Sequence, residues 1–195
     1  MRYQEWIFVT LLALAAVFPA SGQQAAQPPN LVPNGSFENT KLTWVNTNCN
    51  YMALLAGATA IPKWTVTPDT VHEIVWAMTP TCDGFTAAAG KFFVDLSGFG
   101  GDSPNGAATQ TIKKKFVAGQ QYTFSLAVVG AVPLVTIDGA PISLTAGTPF
   151  KKGTTIWTPE TGTFTAQSVN AVLTIRNPQP GLQVVFIDKV AIRAR

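Results

Sequence analysis

The sequence predicts an all-β protein, a sandwich or jelly roll built from about ten short strands. Three observations point there. Thr, Val, Ile and Phe alternate with polar residues along most of the chain beyond residue 30. Gly, Pro, Asn and Asp punctuate that pattern at short intervals, as strand-and-turn sequences require. Only Asn50 to Ala60, "NYMALLAGATA", has helical composition, and Gly57 weakens it.

Taken in order, the first segment is a leader. Arg2 precedes the apolar run Ile7 to Phe18, and Pro19-Ala20-Ser21-Gly22 closes it with small residues, the pattern of a signal peptide (1–22) cut after Gly22. The run is well short of the ~20 apolar residues that span a bilayer. An uncut membrane anchor is the weaker alternative, and no second apolar stretch of spanning length follows. Residues 23–29 read as a flexible lead-in, and 30–195 as the β-sandwich binding domain.

Strands are expected at Lys63–Thr67, Val71–Ala77, Lys91–Leu96, Thr109–Val117 and Tyr122–Val129. Others are expected at Leu134–Ile137, Ile142–Leu144, Gly153–Thr165, Ala171–Arg176 and Val184–Ile192. In "QQYTFSL" the period of two sets Tyr122, Phe124 and Leu126 on one face. In "VTIDGAPISL" the Asp138-Gly139 pair between apolar runs predicts a tight hairpin. Asn50 to Ala60 reads as a tethered insertion loop with one helical turn.

Composition excludes several function classes. The formal charge is +3 and Lys113-Lys114-Lys115 is the basic cluster, too little for a nucleic-acid face. Cys49 and Cys82, in an exported chain, favour a disulfide, with two free buried thiols as the alternative. The single histidine, His72, opens "VHEIVW", but a zinc HExxH motif needs His where Trp76 stands. No G-x-S-x-G elbow supplies a nucleophilic serine. "GFTAAAGKF" and "GFGGDSPNG" miss the spacing and residues of phosphate and dinucleotide loops. A carboxylate pair acting on a glycan is the remaining catalytic route. The absence of other machinery favours a protein that is not an enzyme.

"NLVPNGSFEN", "IPKWTV", "TVHEIV", "KFFVDLSG", "AGQQYTFSLAV", "WTPETGTFTA" and "GLQVVFIDKVAI" occur in that order. Together they resemble the plant cell-wall family of unknown function that opens with an L-P-N-G-x-F-E motif. They are also similar to its bacterial choice-of-anchor C relatives. The resemblance covers nearly the whole chain past the leader. It implies a galactose-binding-like jelly roll akin to carbohydrate-binding modules, non-catalytic and associated with cell-wall or extracellular polysaccharide. Two features depart from the pattern, a long insertion at Thr40 to Ala60 and the Cys49/Cys82 pair. The chain ends at "AIRAR" without a sorting tail, so a secreted, periplasmic or extracellular protein is expected rather than an anchored one.

Two candidate sites follow. In "VVFIDKVAI" alternation puts Asp188 in a row with Val184, Phe186, Val190 and Ile192, and a buried charge needs a partner. In jelly rolls of the resembled type the first and last strands lie together around a structural Ca²⁺. The resemblance places Glu38 and Asp188 at those positions, with Asn39 and backbone carbonyls completing the shell. Neutralisation by Lys189, Arg193 or backbone amides is the alternative, as is a bulge that turns Asp188 outward. Trp64 and Trp157 are expected in the core. Trp44, Tyr51 and Trp76, in or beside the insertion, are the candidate platform for stacking a sugar ring; packing of the insertion is the alternative. The partner expected is a polysaccharide or glycan, with an extracellular protein as the other possibility.

Overall fold

A computed structural model describes residues 27–40, 44–68, 70, 72–99, 103–178 and 183–195. The expected signal peptide and most of the lead-in lie outside these. Among the described residues the chain forms β1 (Tyr51–Leu55), β2 (Thr65–Val66), β3 (Glu73–Met78), β4 (Phe92–Asp95) and β5 (Ala107–Ile112). It continues with β6 (Gln121–Gly130), β7 (Leu134–Ile137), β8 (Ala140–Pro141), β9 (Thr145–Ala146) and β10 (Phe150–Lys152). It ends with β11 (Thr155–Thr165), β12 (Ala171–Arg176) and β13 (Val185–Ala194). Eight strands form one sheet in the order β1-β3-β4-β13-β6-β11-β10, with β9 beside β11; five form a second, β2-β5-β12-β7-β8. The all-β sandwich expected from alternation is what folds.

The core between the sheets takes every second residue of each. Ile74, Trp76, Val94, Phe124, Val128 and Ile187 come from the larger sheet and Val66, Ile112, Val135, Leu173 and Ile175 from the smaller. Trp64 joins this core, as expected, and its indole N–H donates to Asn34 O at 3.0 Å. The larger sheet also has an apolar outer face. Ala77, Phe93, Ala127, Trp157 and Phe186 pack there beneath Ala87 and Ala88 of the strap, residues 79–91, which crosses them. The strap is pinned: Trp157 Nε1 donates to Thr86 O at 2.9 Å, Thr86 N to Thr155 Oγ1 at 2.8 Å, and a Cys49–Cys82 disulfide ties its start to the segment before β1.

Four local expectations are corrected. Asn50 to Ala60 carries no helical turn, because Tyr51–Leu55 pairs along its whole length with β3, from Tyr51 opposite Ala77 to Leu55 opposite Glu73. Ile142–Leu144 is not a strand; β8 ends at Pro141 and β9 begins at Thr145, while the Asp138-Gly139 hairpin forms with both residues at positive φ. "NLVPNGSFEN" is a turn and not a strand. Asn34 and Phe37 have φ of 51° and 61°, in the left-handed region that breaks an extended run. The segment still meets the last strand, with Leu31 N donating to Ile192 O at 2.9 Å and Val190 N to Gly35 O at 2.8 Å. A side chain at Gly35 would put its Cβ 2.0 Å from Val190 O, so the close approach requires glycine.

The fourth correction concerns Asp188. Lys189 adopts a φ of 54° and the pairing of β13 with β6 shifts register between Asp188 and Ala191. This bulge re-phases the strand. Val185, Ile187, Val190 and Ile192 enter the inter-sheet core, while Phe186 lies in the outer cluster and Asp188 shares its parity. The bulge does not carry Asp188 into solvent: its side chain is fully buried.

Candidate functional site

The outer face of the larger sheet holds two carboxyl groups and opens into a cleft beside one of them. On β4, Phe93 faces outward, so two residues on Asp95 does as well, opposite Val75 of β3 and Phe186 of β13. Asp95 is half-buried, and Ser97 donates to its Oδ1 from both backbone N–H and hydroxyl. Burial, with the charge of Glu73 adding to it, outweighs those bonds and pushes the Asp95 carboxyl up to about 7.

Around Asp95 lies a cleft of about 190 Å³ lined by Tyr51, Asp83, Phe85, Phe99 and Phe186. Drug-sized ligands occupy roughly 300–1,000 Å³, so this volume suits one ring rather than several. Tyr51 and Phe99 meet edge to face at 5.7 Å, and Phe85 meets Phe186 the same way at 4.8 Å. Tyr51 Oη donates to Asp83 Oδ2 at 2.8 Å. Burial, opposed by a bond to Thr81 and reinforced by the Asp83 charge, pushes the Tyr51 phenol up to about 12, which keeps it a donor at neutral pH. Glu73 Oε1 accepts from Phe99 N at 3.1 Å and so holds the turn that carries the Phe99 ring. Gly98 is required there, at φ 72° with a virtual Cβ 2.7 Å from Glu73 O.

The expected platform residues are not brought together. Trp76 is wholly buried in the inter-sheet core, on the side of β3 that also carries Ile74, so it cannot meet a ligand from solvent; this corrects its assignment as a platform ring. Trp44 packs the insertion down, donating from Nε1 to Trp76 O at 3.2 Å and meeting Phe92 edge to face at 5.8 Å. Tyr51 alone of the three opens onto the cleft. Its neighbours Asp83, Phe85, Asp95 and Phe99 come from separate segments that only the fold unites. The one local signal was "FFVDLSG", where alternation sets Asp95 on the face of Phe93.

Glu38 and Asp188 do meet, at the far end of the strap. Glu38 Oε1 accepts from Lys91 N and Phe92 N, both at 2.8 Å, and Asp188 Oδ2 accepts from Ala89 N at 2.9 Å. Asp188 Oδ1 accepts from Lys189 N, while Lys189 Nζ turns away to lie 5.4 Å from the centre of the Phe150 ring. Amides, rather than that ammonium, face the acids. Burial still pushes the Asp188 carboxyl up to about 7, and the Glu38 charge adds to the rise. The Glu38 carboxyl fills the space over Gly90, whose virtual Cβ would lie 2.4 Å from Glu38 Cδ. Two like-charged acids, one buried, suit a divalent cation. Among the described residues, however, no cluster of three or more acidic, His or Cys side chains forms there, so carbonyls would have to supply the rest of a shell. Asn39 is exposed and its amide donates to Asn34 Oδ1 at 2.9 Å.

A second concavity, of about 580 Å³, lies along β13 past the bulge, lined by Asn30, Asn34, Ser36, Ser125, Lys189 and Arg193. Among the described residues no aromatic ring lines it.

These features define an all-β sandwich with an open aromatic cleft on one sheet. The chain belongs to the DUF642 family of proteins of unknown function, which it matches over residues 30–193. It is similar to halomucin of Haloquadratum walsbyi, at 32% identity over an alignment of 195 positions that covers 95% of this chain and 2% of that protein's length. Among solved structures it is similar to the CBM22-1 xylan-binding domain of Paenibacillus barcinonensis Xyn10C, at 12% identity and a TM-score of 0.43, over 74% of this chain and 92% of that one. A CBM4 structure gives 13% identity and a TM-score of 0.40, over 84% of this chain and 99% of the other.

Proposed function

We propose that the protein is a secreted, non-catalytic module that binds carbohydrate in the cleft of Tyr51, Phe85, Phe99 and Phe186. The observation that supports it most is the cleft itself: the rings of Tyr51, Phe85 and Phe99 reach solvent beside hydroxyl and carboxyl groups already fixed by bonds to the protein. Rings cover the apolar face of a pyranose, and pre-set polar groups choose its hydroxyls without further ordering. The disulfide is compatible with an oxidising, extracellular setting. A glycan array read against the wild type and Phe99→Ala tests this. Phe99 is 38% exposed, so its removal leaves the core intact and binding should fall at least about tenfold. Equal binding by both proteins, or none to any glycan, contradicts it.

Structural calcium at Glu38 and Asp188, with backbone carbonyls, is part of the same proposal. If it binds, EDTA lowers the melting temperature and added calcium restores it. A melting temperature indifferent to both removes the metal.

A further inference from the structure

We infer that the sugar unit taken by this cleft carries an ammonium group, a hexosamine with a free amine, rather than a neutral or acidic unit. The inference rests on the carbohydrate reading above and concerns the charge of the ligand. The cleft lining combines four rings with two acids, Asp83 and Asp95, beside the aliphatic Val75 and Val184. Tyr51 comes from β1 and Asp83 and Phe85 from the strap; Asp95 comes from β4, and Phe99 from the turn after it. Phe186 comes from β13, and Glu73 of β3 stands behind Phe99, bonded to its N–H. No Lys or Arg is among the lining residues. Lys189 and Arg193 line the separate concavity past the bulge.

A carboxylate- or sulfate-bearing sugar would therefore enter beside Asp83, Asp95 and Glu73 with no cation to meet it. A neutral sugar would use the rings and hydroxyls and leave that charge uncompensated. An ammonium answers both features at once, because the faces of Tyr and Phe rings attract cations and a carboxylate accepts charge-assisted hydrogen bonds. Asp83 is the exposed member and already holds Tyr51 Oη. Asp95 is the deeper one, with Oδ1 engaged by Ser97 and no Lys or Arg among the described residues that line the cleft beside it.

The experiment is calorimetry on the full secreted chain with four oligosaccharides of equal length: glucosamine, N-acetylglucosamine, cello- and galacturonate oligomers. The glucosamine oligomer should bind about tenfold more tightly than the N-acetylated and cello-oligomers, and the galacturonate oligomer least. Asp83→Asn keeps a hydrogen-bond acceptor for Tyr51 and should abolish the preference, bringing the glucosamine and N-acetylglucosamine oligomers to within about twofold of each other. Its melting curve, superimposed on that of the wild type, shows that folding is intact. Equal affinity for all four oligomers, or tightest binding of galacturonate, overturns the inference while leaving carbohydrate binding in place. Absence of heat with all four overturns both.

Discussion

Asp95 and Asp188 share the outer face of one sheet, and burial pushes each carboxyl up to about 7. Their surroundings separate them. Asp188 is fully enclosed, accepts from Ala89 N of the strap beside Glu38, and is not among the residues that line the cleft. Asp95 is half-buried, hydrogen-bonded to Ser97 two residues on, and open to the cleft of Tyr51 and Phe99. A similar electrostatic state arises where the chain must close its ends and where it can meet a ligand. A perturbed carboxyl alone does not distinguish structure from function; access does. The strap joins the two regions, its disulfide end bordering Asp95 and its Gly90 end bordering Asp188.

The largest expected effect comes from breaking the element that both regions share. Trp157→Ala removes a wholly buried ring and the bond to Thr86 O, and should cost about 3–5 kcal/mol in urea unfolding. Ligand binding at the cleft should weaken with it, because Phe85 rides on the strap.

Gly90→Ala acts on one region only. It places a Cβ against the Glu38 carboxyl and forces a φ of 62° on alanine, so a loss of about 1–3 kcal/mol is expected, with cleft affinity unchanged. A matching loss of affinity would show that the two ends of the strap are not independent.

The pH dependence tests both acids together. Each acid has a native pKa near 7 above a reference value of 3.8, so the folded state binds the proton more tightly. Their contribution to stability is greatest below pH of about 4 and is lost as pH rises toward about 7. The melting temperature should therefore fall across that range, and Asp95→Asn and Asp188→Asn should each flatten part of the slope. Calcium at Glu38 would flatten the Asp188 share alone. A melting temperature that rises from pH 4 to 7 and is unmoved by either variant contradicts the assigned burial of both groups.

Much of the sandwich was legible because alternation and turn residues report a half-buried strand directly, as in Tyr122, Phe124 and Leu126. β1 was not, since "YMALL" has no strand composition of its own and is held by its pairing with β3. The pairing of Glu38 with Asp188 is what the family resemblance implies, and a bulge at Asp188 is among the alternatives, but its seat at Lys189 is not legible. A non-Gly residue in the left-handed region leaves no mark in composition. Nearness to the insertion does not bring Trp76 to the surface, because the period that buries Ile74 buries Trp76 as well. The cleft's remaining residues lie on segments whose meeting depends on strand order.

Backbone amide shift mapping during titration with a glucosamine oligomer tests the cleft most directly. The expected perturbations centre on Tyr51, Asp83, Ser97 and Phe99, with Asn30, Ser36 and Arg193 unmoved. Shifts confined to Asn30, Ser36 and Arg193, or none on either side of the strap, would contradict the placement of the ligand at Asp95.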